Sequence, residues 1–197
     1  MTEVVIVDSG GANLASLRYA LERLGARTEV TTDGVTIASA ERVVLPGVGA
    51  AAPAMERLRT AGLKTVLRTL TQPVLGVCLG MQLLFDRSDE GPTRCLGVLP
   101  STAHVLKAAP GRPVPHMGWN ELKYLRADPL LEDVADGEYV YFVHSYYAPL
   151  GDYTVAATDY SVSFSSVVNQ GNIFGCQFHP ERSGKTGAQI LKNFTEL

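Results

Sequence analysis

The residue with the clearest chemical setting is a cysteine between two glycines, Cys78 in the run Gly76–Gly80 (GVCLG). An apolar segment precedes this run and a helical pattern follows it, which predicts a strand, a sharp turn and a helix. This arrangement, a nucleophile elbow, often carries serine in hydrolases, and here cysteine takes that place. Small residues two positions before and after the nucleophile give the strained turn its clearance. Peptide dipoles at the helix N-terminus favour the thiolate, so the pattern predicts a cysteine nucleophile.

The alternative is a buried structural cysteine with glycines nearby by accident. With 19 Gly and 3 Cys in 197 residues, chance gives the G-x-C-x-G spacing about 3% of the time, so the motif alone is a hypothesis. The strand pattern before the motif and the helix pattern after it lower the chance of a random match further. Cys95 and Cys176 have no comparable setting and are interpreted as small core or near-surface residues.

A cysteine nucleophile needs a base, and the base needs a group that orients it. His179 follows the predicted strand Ile173–Phe178, and Pro180 and Glu181 come directly after it. Because the C-terminal ends of parallel strands line the ligand crevice, His179 and Cys78 are expected at the same sheet edge. We therefore predict a Cys78–His179–Glu181 triad. The alternative is a histidine that merely ends a strand beside a solvated glutamate.

The other three histidines are weaker candidates for the base. His104 lies in a strand pattern, where a histidine is more often structural. His116 and His144 lie in motif-like runs, PHMGWN and YFVHSY, which packing would explain equally well.

Acyl transfer also needs backbone donors for the oxyanion of the tetrahedral intermediate. One is expected from the N–H of Leu79, the residue after the nucleophile. The loop Pro46–Gly49 is the expected source of the second, since its glycines let the backbone approach a ligand closely. We assign that donor to the N–H of Val48, with Gly49 as the next choice, and expect the Gly47–Val48 peptide to be able to rotate. The alternative is a plain strand-to-helix turn.

Composition and charge exclude several classes of function. The net charge is −3 and no basic run is present, so nucleic acid is not an expected ligand. No apolar run approaches the length of a membrane span, and the first residues are predicted as a strand rather than a signal peptide. Three widely spaced cysteines make neither a disulfide framework nor a zinc pattern, so a reducing cytoplasm is the expected location. The GKT run at 184–186 and the glycines at 10–11 lack the spacings of nucleotide-binding loops, and we predict no metal and no cofactor.

Hydrophobic patterning divides the chain into two halves. The first half alternates strands at Val4–Asp8, Arg27–Thr31, Arg42–Leu45 and Val74–Val77 with helices at Asn13–Leu24, Ala51–Arg59 and Leu63–Leu70. The second half has short strands at Thr102–Leu106, Asn120–Leu122, Tyr139–Val143, Tyr153–Thr158, Val162–Val168 and Ile173–Phe178, a surface loop at 108–115 and a closing helix at Gly187–Phe194. These patterns predict an α/β fold with a mostly parallel central sheet flanked by helices and antiparallel strands in the second half. We expect a single domain over residues 1–197.

Five motifs carry a resemblance to a known family. They are LPGVG (45–49), GVCLGMQLL (76–84), PHMGWN (115–120), YFVHSY (141–146) and QFHPERSG (177–184). With them the sequence resembles the class I glutamine amidotransferases from Val4 to Phe194. Within that class, PHMGWN and the HSY run resemble the glutaminase subunits of imidazole glycerol phosphate synthases, which serve histidine biosynthesis. The resemblance implies the amidotransferase fold and hydrolysis of glutamine through a γ-glutamyl thioester.

The resemblance also implies roles for individual residues. Cys78 would attack the amide carbon, His179 would shuttle the proton and Glu181 would orient His179. The residues implied to contact glutamine are Gly47, Gln82, Glu90, Ser145 and Tyr146. The implied partner is a cyclase (β/α)₈-barrel subunit, bound as a heterodimer, which receives the ammonia. The residues implied to face this partner are Asn13, Trp119 and Arg182.

Two segments depart from the family's usual sequence, Ser9–Ala12 and the loop Ala108–Arg112. Neither includes a triad residue. Two alternative functions stay open at this point. One is the glutaminase component of anthranilate or guanylate synthesis, and the other is a cysteine-based redox sensor, because an elbow thiolate is also oxidisable.

Overall fold

The computed structural model describes residues 2–10 and 14–197 of the 197-residue chain. The strands of the described residues are β1 (Glu3–Val7), β2 (Arg27–Thr31), β3 (Arg42–Gly47), β4 (Val74–Cys78), β5 (Phe85–Ser88), β6 (Thr93–Arg94), β7 (Leu99–Val105), β8 (His116–Glu121), β9 (Lys123–Tyr124), β10 (Tyr139–His144), β11 (Tyr146–Tyr147), β12 (Thr154–Asp159), β13 (Ser163–Gln170) and β14 (Ile173–Cys176). The helices are α1 (Leu14–Arg23), α2 (Gly34–Ser39), α3 (Ala51–Thr60), α4 (Leu63–Thr69), α5 (Leu79–Leu83) and α6 (Gly184–Glu196). Short 3₁₀ turns lie at Pro129–Leu131 and Pro180–Arg182.

The central sheet has the strand order β2-β1-β3-β4-β14-β13-β12-β9. The first five strands of this order are mutually parallel. β13, β12 and β9 extend the sheet by antiparallel pairing. The predicted α/β fold, a mostly parallel sheet with antiparallel strands from the second half, is confirmed.

Helices cover both faces of this sheet. Alternate residues of β1 point to opposite faces, with Val5 and Val7 in one apolar cluster and Val4 and Ile6 in the other. The first cluster includes apolar residues of α2, α3, α4 and α5, and the second includes those of α1 and α6. Because both faces are buried, the parallel strands are apolar throughout rather than alternating.

The strand order brings the three predicted catalytic segments together. β4, which ends at Cys78, lies between β3 and β14. In the parallel register Gly47 is the partner of Cys78, and Cys176 is the partner of Val77. The loop after β3 and the turn after β14 therefore leave the sheet on either side of the cysteine.

Two smaller sheets lie outside the central one. β8 and β10 form an antiparallel ribbon, and β11, β7, β5 and β6 form a four-stranded sheet. The sequence did not predict β5, β6, β9 or β11. Three of these strands have two residues each, too few to show an alternating pattern.

Several predicted boundaries differ from those of the structure. β3 continues to Gly47 because its pairing with β4 continues, so Pro46 and Gly47 lie in the strand and not in a loop. β8 begins at His116 because it pairs with the whole of β10. β14 ends at Cys176, two residues early, and α6 begins at Gly184 rather than Gly187. The helix predicted from Asn13 begins at Leu14 among the described residues, and Asn13 lies outside them.

The short helix α2 was also missed. Asp33 caps it, its carboxylate accepting from the N–H of Thr36 at 2.7 Å. Its sequence, GVTIAS, combines glycine with β-branched residues that have low helix propensity. Ile37 is buried in the core, so tertiary packing stabilises a helix that local propensity does not favour.

Candidate active site

Cys78 lies on a strained turn between β4 and α5. Its backbone has φ 54° and ψ −112°, a positive φ that residues with a side chain rarely adopt. Such a conformation costs on the order of 1–3 kcal/mol and persists only where the surrounding structure holds it. The side chain is buried, with 7% exposure. This is the backbone geometry expected of a nucleophile elbow.

The two glycines beside the cysteine provide clearance against the backbone. A Cβ on Gly80 would overlap the carbonyl oxygen of Leu45 in β3. A Cβ on Gly76 would lie 2.7 Å from the Cα of Met81. Because these neighbours belong to the main chain, neither clash can be relieved by rotating a side chain.

The helix after the elbow is shorter than the sequence pattern suggests. α5 has five residues, because the chain enters β5 at Phe85. A helix of little more than one turn has few aligned peptide dipoles. Any helix-dipole contribution at Cys78 is therefore limited to the first N–H groups of α5.

His179 and Glu181 form a buried hydrogen-bonded pair. His179 is three residues beyond β14, and Glu181 lies in the 3₁₀ turn that follows. Their side chains are joined by a 2.9 Å contact between Nδ1 of His179 and Oε1 of Glu181. Nδ1–H is the donor, because an ionised carboxylate only accepts. The other ring nitrogen, Nε2, is then the one available to the thiol of Cys78.

The charges around His179 favour its protonated form. Burial alone would lower the pKa of this imidazole, but its interactions with Cys78 and Glu181 raise it to about 10. Cys78 and His179 line the same cleft, so the predicted nucleophile and base face one opening. An imidazolium held between a carboxylate and a sulfur can give its proton to a leaving group.

The other two thiols have unreactive surroundings. Burial raises the pKa of Cys95 to about 11, and burial also raises that of Cys176 well above its usual range. Since the thiolate is the nucleophile, these cysteines remain protonated at neutral pH.

The predicted oxyanion residues meet at one opening beside the thiol. Val48, Gly49 and Leu79 line the same cleft as Cys78. Gly49 has φ +91°, a conformation that glycine adopts without strain. Gly47 has no room for a side chain, because a Cβ there would lie 2.8 Å from the N of Gly80.

The cleft has a volume of about 520 Å³. Its lining residues are Val48, Gly49, Cys78, Leu79, Gln82, Glu90, Pro115, Val143, His144, Ser145, Tyr146 and His179. The volume is in the range of small-molecule sites. The structure thus brings four of the five predicted glutamine-contacting residues together. The fifth, Gly47, lines a small adjoining cavity of about 20 Å³ that also contacts His179 and Glu181.

Protein hydrogen bonds already occupy part of this polar lining. Gln82 is buried, and its Nε2 donates to the carbonyl of Tyr146 at 2.8 Å and to Oε1 of Gln177 at 3.0 Å. Oε2 of Glu90 accepts from the N–H of Ala51, the first residue of α3, at 2.7 Å. The carbonyl of Ser145 accepts from the N–H of Leu106. These bonds fix the orientation of the polar groups that face the cleft.

Of the predicted partner-facing residues, the structure describes two. Trp119 is 55% exposed and packs edge-on against Tyr141, with ring centroids 6.1 Å apart. The guanidinium of the exposed Arg182 lies 6.0 Å from the centroid of the same tyrosine ring. Asn13 lies outside the described residues.

Sequence reasoning assigned no role to Gln177 and left His116 and His144 as weaker base candidates or packing residues. Nε2 of Gln177 lies 3.8 Å from the sulfur of Cys78. His144 and His116 form a buried pair with 2.9 Å between Nε2 and Nδ1. The QFHPE run contains Gln177, but a glutamine beside a catalytic histidine carries no chemical signal of its own in a sequence.

In residues 2–10 and 14–197, no group of three or more His, Cys, Asp or Glu side chains is arranged to hold a metal ion. No helix in that part of the chain has the length and apolarity to span a membrane.

Known proteins are similar to this chain in sequence, and a solved structure is similar to it in fold. The family Glutamine amidotransferase class-I matches residues 5–197. The chain is 53% identical over 197 residues to the imidazole glycerol phosphate synthase subunit HisH of Xylella fastidiosa strain Temecula1, covering 100% of this chain and 98% of that protein. The HisH subunit of Xanthomonas euvesicatoria pv. vesicatoria is 53% identical with the same coverage.

A solved structure described as a glutamine amidotransferase has the same fold. It superposes with a TM-score of 0.75 at 20% identity, covering 98% of this chain and 97% of that one. At this identity the likeness concerns the fold alone. The family match and the full-length identity carry the assignment: the chain belongs to the class I glutamine amidotransferases, within the family of imidazole glycerol phosphate synthase subunit HisH.

Proposed function

We propose that this chain is the glutaminase subunit of an imidazole glycerol phosphate synthase and that residues 1–197 act as one glutaminase domain. Its glutamine amidotransferase activity would depend on the triad Cys78, His179 and Glu181. One observation carries the proposal. A buried cysteine on a strained elbow lines a cleft of about 520 Å³ together with a histidine that a buried glutamate holds at 2.9 Å.

In the first half of the reaction the thiolate of Cys78 attacks the γ-amide carbon of glutamine. The carbonyl oxygen becomes an oxyanion, which accepts from the N–H of Leu79 and from a second donor, Val48 or Gly49. The C–N bond then breaks, and His179 gives its proton to the departing nitrogen, which leaves as ammonia. The enzyme is left as a γ-glutamyl thioester.

In the second half, water attacks the thioester carbon and His179 takes one of its protons. The C–S bond breaks, glutamate leaves, and the thiolate and imidazolium are restored. Glu181 stays ionised throughout and stabilises the imidazolium through its bond to Nδ1.

Substrate orientation would come from the polar side of the cleft. Both hydrogens of the Gln82 amide nitrogen are directed at protein acceptors, so we assign its Oε1 to the substrate. Glu90 places a carboxylate at the cleft and supplies a charge that suits the α-ammonium group of glutamine. We assign the backbone of Ser145 and Tyr146 to the α-carboxylate end.

The partner would be a cyclase (β/α)₈-barrel subunit that receives the ammonia. The outer face of the β8–β10 ribbon exposes large apolar side chains, including Met117 at 66%, Trp119 at 55% and Tyr139 at 54%. Exposed apolar patches of this kind mark interaction sites. Arg182, one residue after Glu181, adds a cation on the same side, since it packs with Tyr141 of the ribbon.

The test is reconstitution with the barrel subunit, with glutamine or free ammonia as the nitrogen source. Cys78→Ala should abolish product formation from glutamine and leave formation from ammonia unchanged. Glutamine-dependent synthesis by Cys78→Ala would exclude the proposed nucleophile. Transfer of ammonia to an anthranilate or guanylate synthase partner, with none to the cyclase, would reassign the acceptor.

A further inference from the structure

We infer that Gln177 is a thiolate-stabilising residue, whose amide N–H donates to the sulfur of Cys78 and whose orientation is fixed by a chain of hydrogen bonds. The inference rests on the proposed function, because it concerns the same nucleophile. It adds a residue outside the triad that would set how much of Cys78 is ionised.

Gln177 is placed to contact the nucleophile from inside the protein. It follows β14, the strand next to β4, and its side chain is fully buried. Its backbone N–H donates to the carbonyl of Ser166 at 2.9 Å, which holds the residue on the sheet. Nε2 then lies 3.8 Å from the sulfur of Cys78, a long N–H···S contact.

The direction of this contact follows from one atom that can only accept. The carbonyl oxygen of Tyr146 lies 2.8 Å from the Gln82 amide, so the nitrogen of Gln82 must face it. The same nitrogen lies 3.0 Å from the Gln177 amide, which must therefore present its oxygen. The nitrogen of Gln177 is left facing Cys78. The network alone thus orients both amides.

Two buried histidines hold the Tyr146 carbonyl from the other side. Nδ1 of His144 donates to that carbonyl at 2.8 Å, so Nε2 of the neutral ring is an acceptor. Nδ1 of His116 lies 2.9 Å from this Nε2 and is its donor. Burial lowers the pKa of His116 to about 4 and that of His144 to about 3, so both rings are neutral at neutral pH. The protonation of the two histidines that hold the Tyr146 carbonyl therefore does not change with pH in the working range.

The sulfur also faces a group of opposite character. The carbonyl oxygen of Val143 lies 3.8 Å from Sγ of Cys78 and suits a thiol, which can donate its proton to it. The same oxygen repels a thiolate. The N–H of Gln177 favours the thiolate and offsets that repulsion, so removing it should shift the balance towards the thiol. A bond to a charged acceptor of this kind corresponds to about a tenfold change in ionisation, or one pH unit.

The experiment measures the rate at which iodoacetamide alkylates Cys78 as a function of pH in the full chain, with the labelled residue mapped by mass spectrometry. Gln177→Met keeps the length of the side chain and removes the donor. We expect the midpoint of its alkylation profile to rise by about one pH unit, with the rate at high pH retained. Ser166→Ala is the matched control, because Ser166 is buried beside Gln177 and its side chain is not part of the hydrogen-bond network. Its alkylation profile should match that of the wild type.

A second variant covers the case in which Gln177→Met does not fold. Gln82→Met removes the group that orients the Gln177 amide, and should raise the midpoint in the same direction by a smaller amount. Midpoints that do not rise in variants whose thermal unfolding is cooperative would overturn the inference. Failure of the proposed function is a separate result, namely wild-type Cys78 that a glutamine-mimicking electrophile does not label.

Discussion

Replacing Glu181 with glutamine removes one charge from the candidate site and keeps its shape. Glu181→Gln retains an oxygen that can accept from Nδ1 of His179, at the 2.9 Å distance of the wild type. What is lost is the negative charge that stabilises the imidazolium. Both side chains are buried, so solvent screens that charge little.

The size of the effect follows from the pKa of His179. Against the opposing effect of burial, Cys78 and Glu181 raise it from 6.5 to about 10. Glu181 is one of the two groups that raise this pKa, and a hydrogen bond to a charged group contributes about 1.5–3 kcal/mol. We therefore expect glutamine turnover, measured with the proposed barrel partner, to fall roughly 30- to 100-fold.

The assay is the release of glutamate as a function of glutamine concentration, repeated across a range of pH. The Michaelis constant should change little, since Glu181 bonds to His179 and is not among the residues that line the cleft. Glu56→Gln, an exposed residue of α3 paired with Arg59, is the control and should keep full turnover. Turnover of Glu181→Gln within twofold of the wild type would refute the role assigned to this carboxylate.

Three further outcomes are expected. His179→Ala should reduce glutaminase turnover about as much as Cys78→Ala, because triad members act as a unit; a folded His144→Ala variant that is slower than His179→Ala would identify a different base. The chain alone should hydrolyse glutamine much more slowly than with its partner. Val48→Pro lacks the second proposed oxyanion donor, so in the complex it should stay roughly 10²–10³-fold slower than the wild type while Cys78 is still alkylated. Full activation of this variant would show that another group is the donor. The pKa of His116 is lowered from 6.5 to about 4, so the unfolded state binds more protons between these pH values and the free energy of unfolding falls as the pH falls through that window. In His116→Phe, urea titrations from pH 7 to 4 should show a smaller loss of unfolding free energy. A pH dependence identical to that of the wild type would contradict this prediction.

The features that the sequence could predict are those set by local pattern. The elbow at Cys78 needs glycines on both sides, and the structure shows each of them against backbone atoms. The apolar strands before Gly47, Cys78 and His179 predict a parallel sheet, and parallel strands bring their C-terminal ends to one edge. The candidate triad could therefore be located before any contact was known.

The features that could not be predicted depend on contacts between distant segments. Gln177 and Gln82 are 95 residues apart in sequence, and only the sheet order brings their amides together. The histidine pair joins β8 to β10 across 28 residues, and its neutrality comes from burial rather than from any local motif. Helix α2 was missed for the opposite reason, since its sequence argues locally against the structure that the core imposes.

The central claim is that Cys78 is the nucleophile of a glutaminase. The most direct measurement is to incubate the chain, together with the proposed barrel partner, with a glutamine-mimicking electrophile and to map the modified residue by mass spectrometry. We predict one label, on Cys78, formed in step with the loss of glutaminase activity and prevented by excess glutamine. A label on Cys95 or Cys176 that accompanies the loss of activity, or complete inactivation with Cys78 unmodified, would contradict the account.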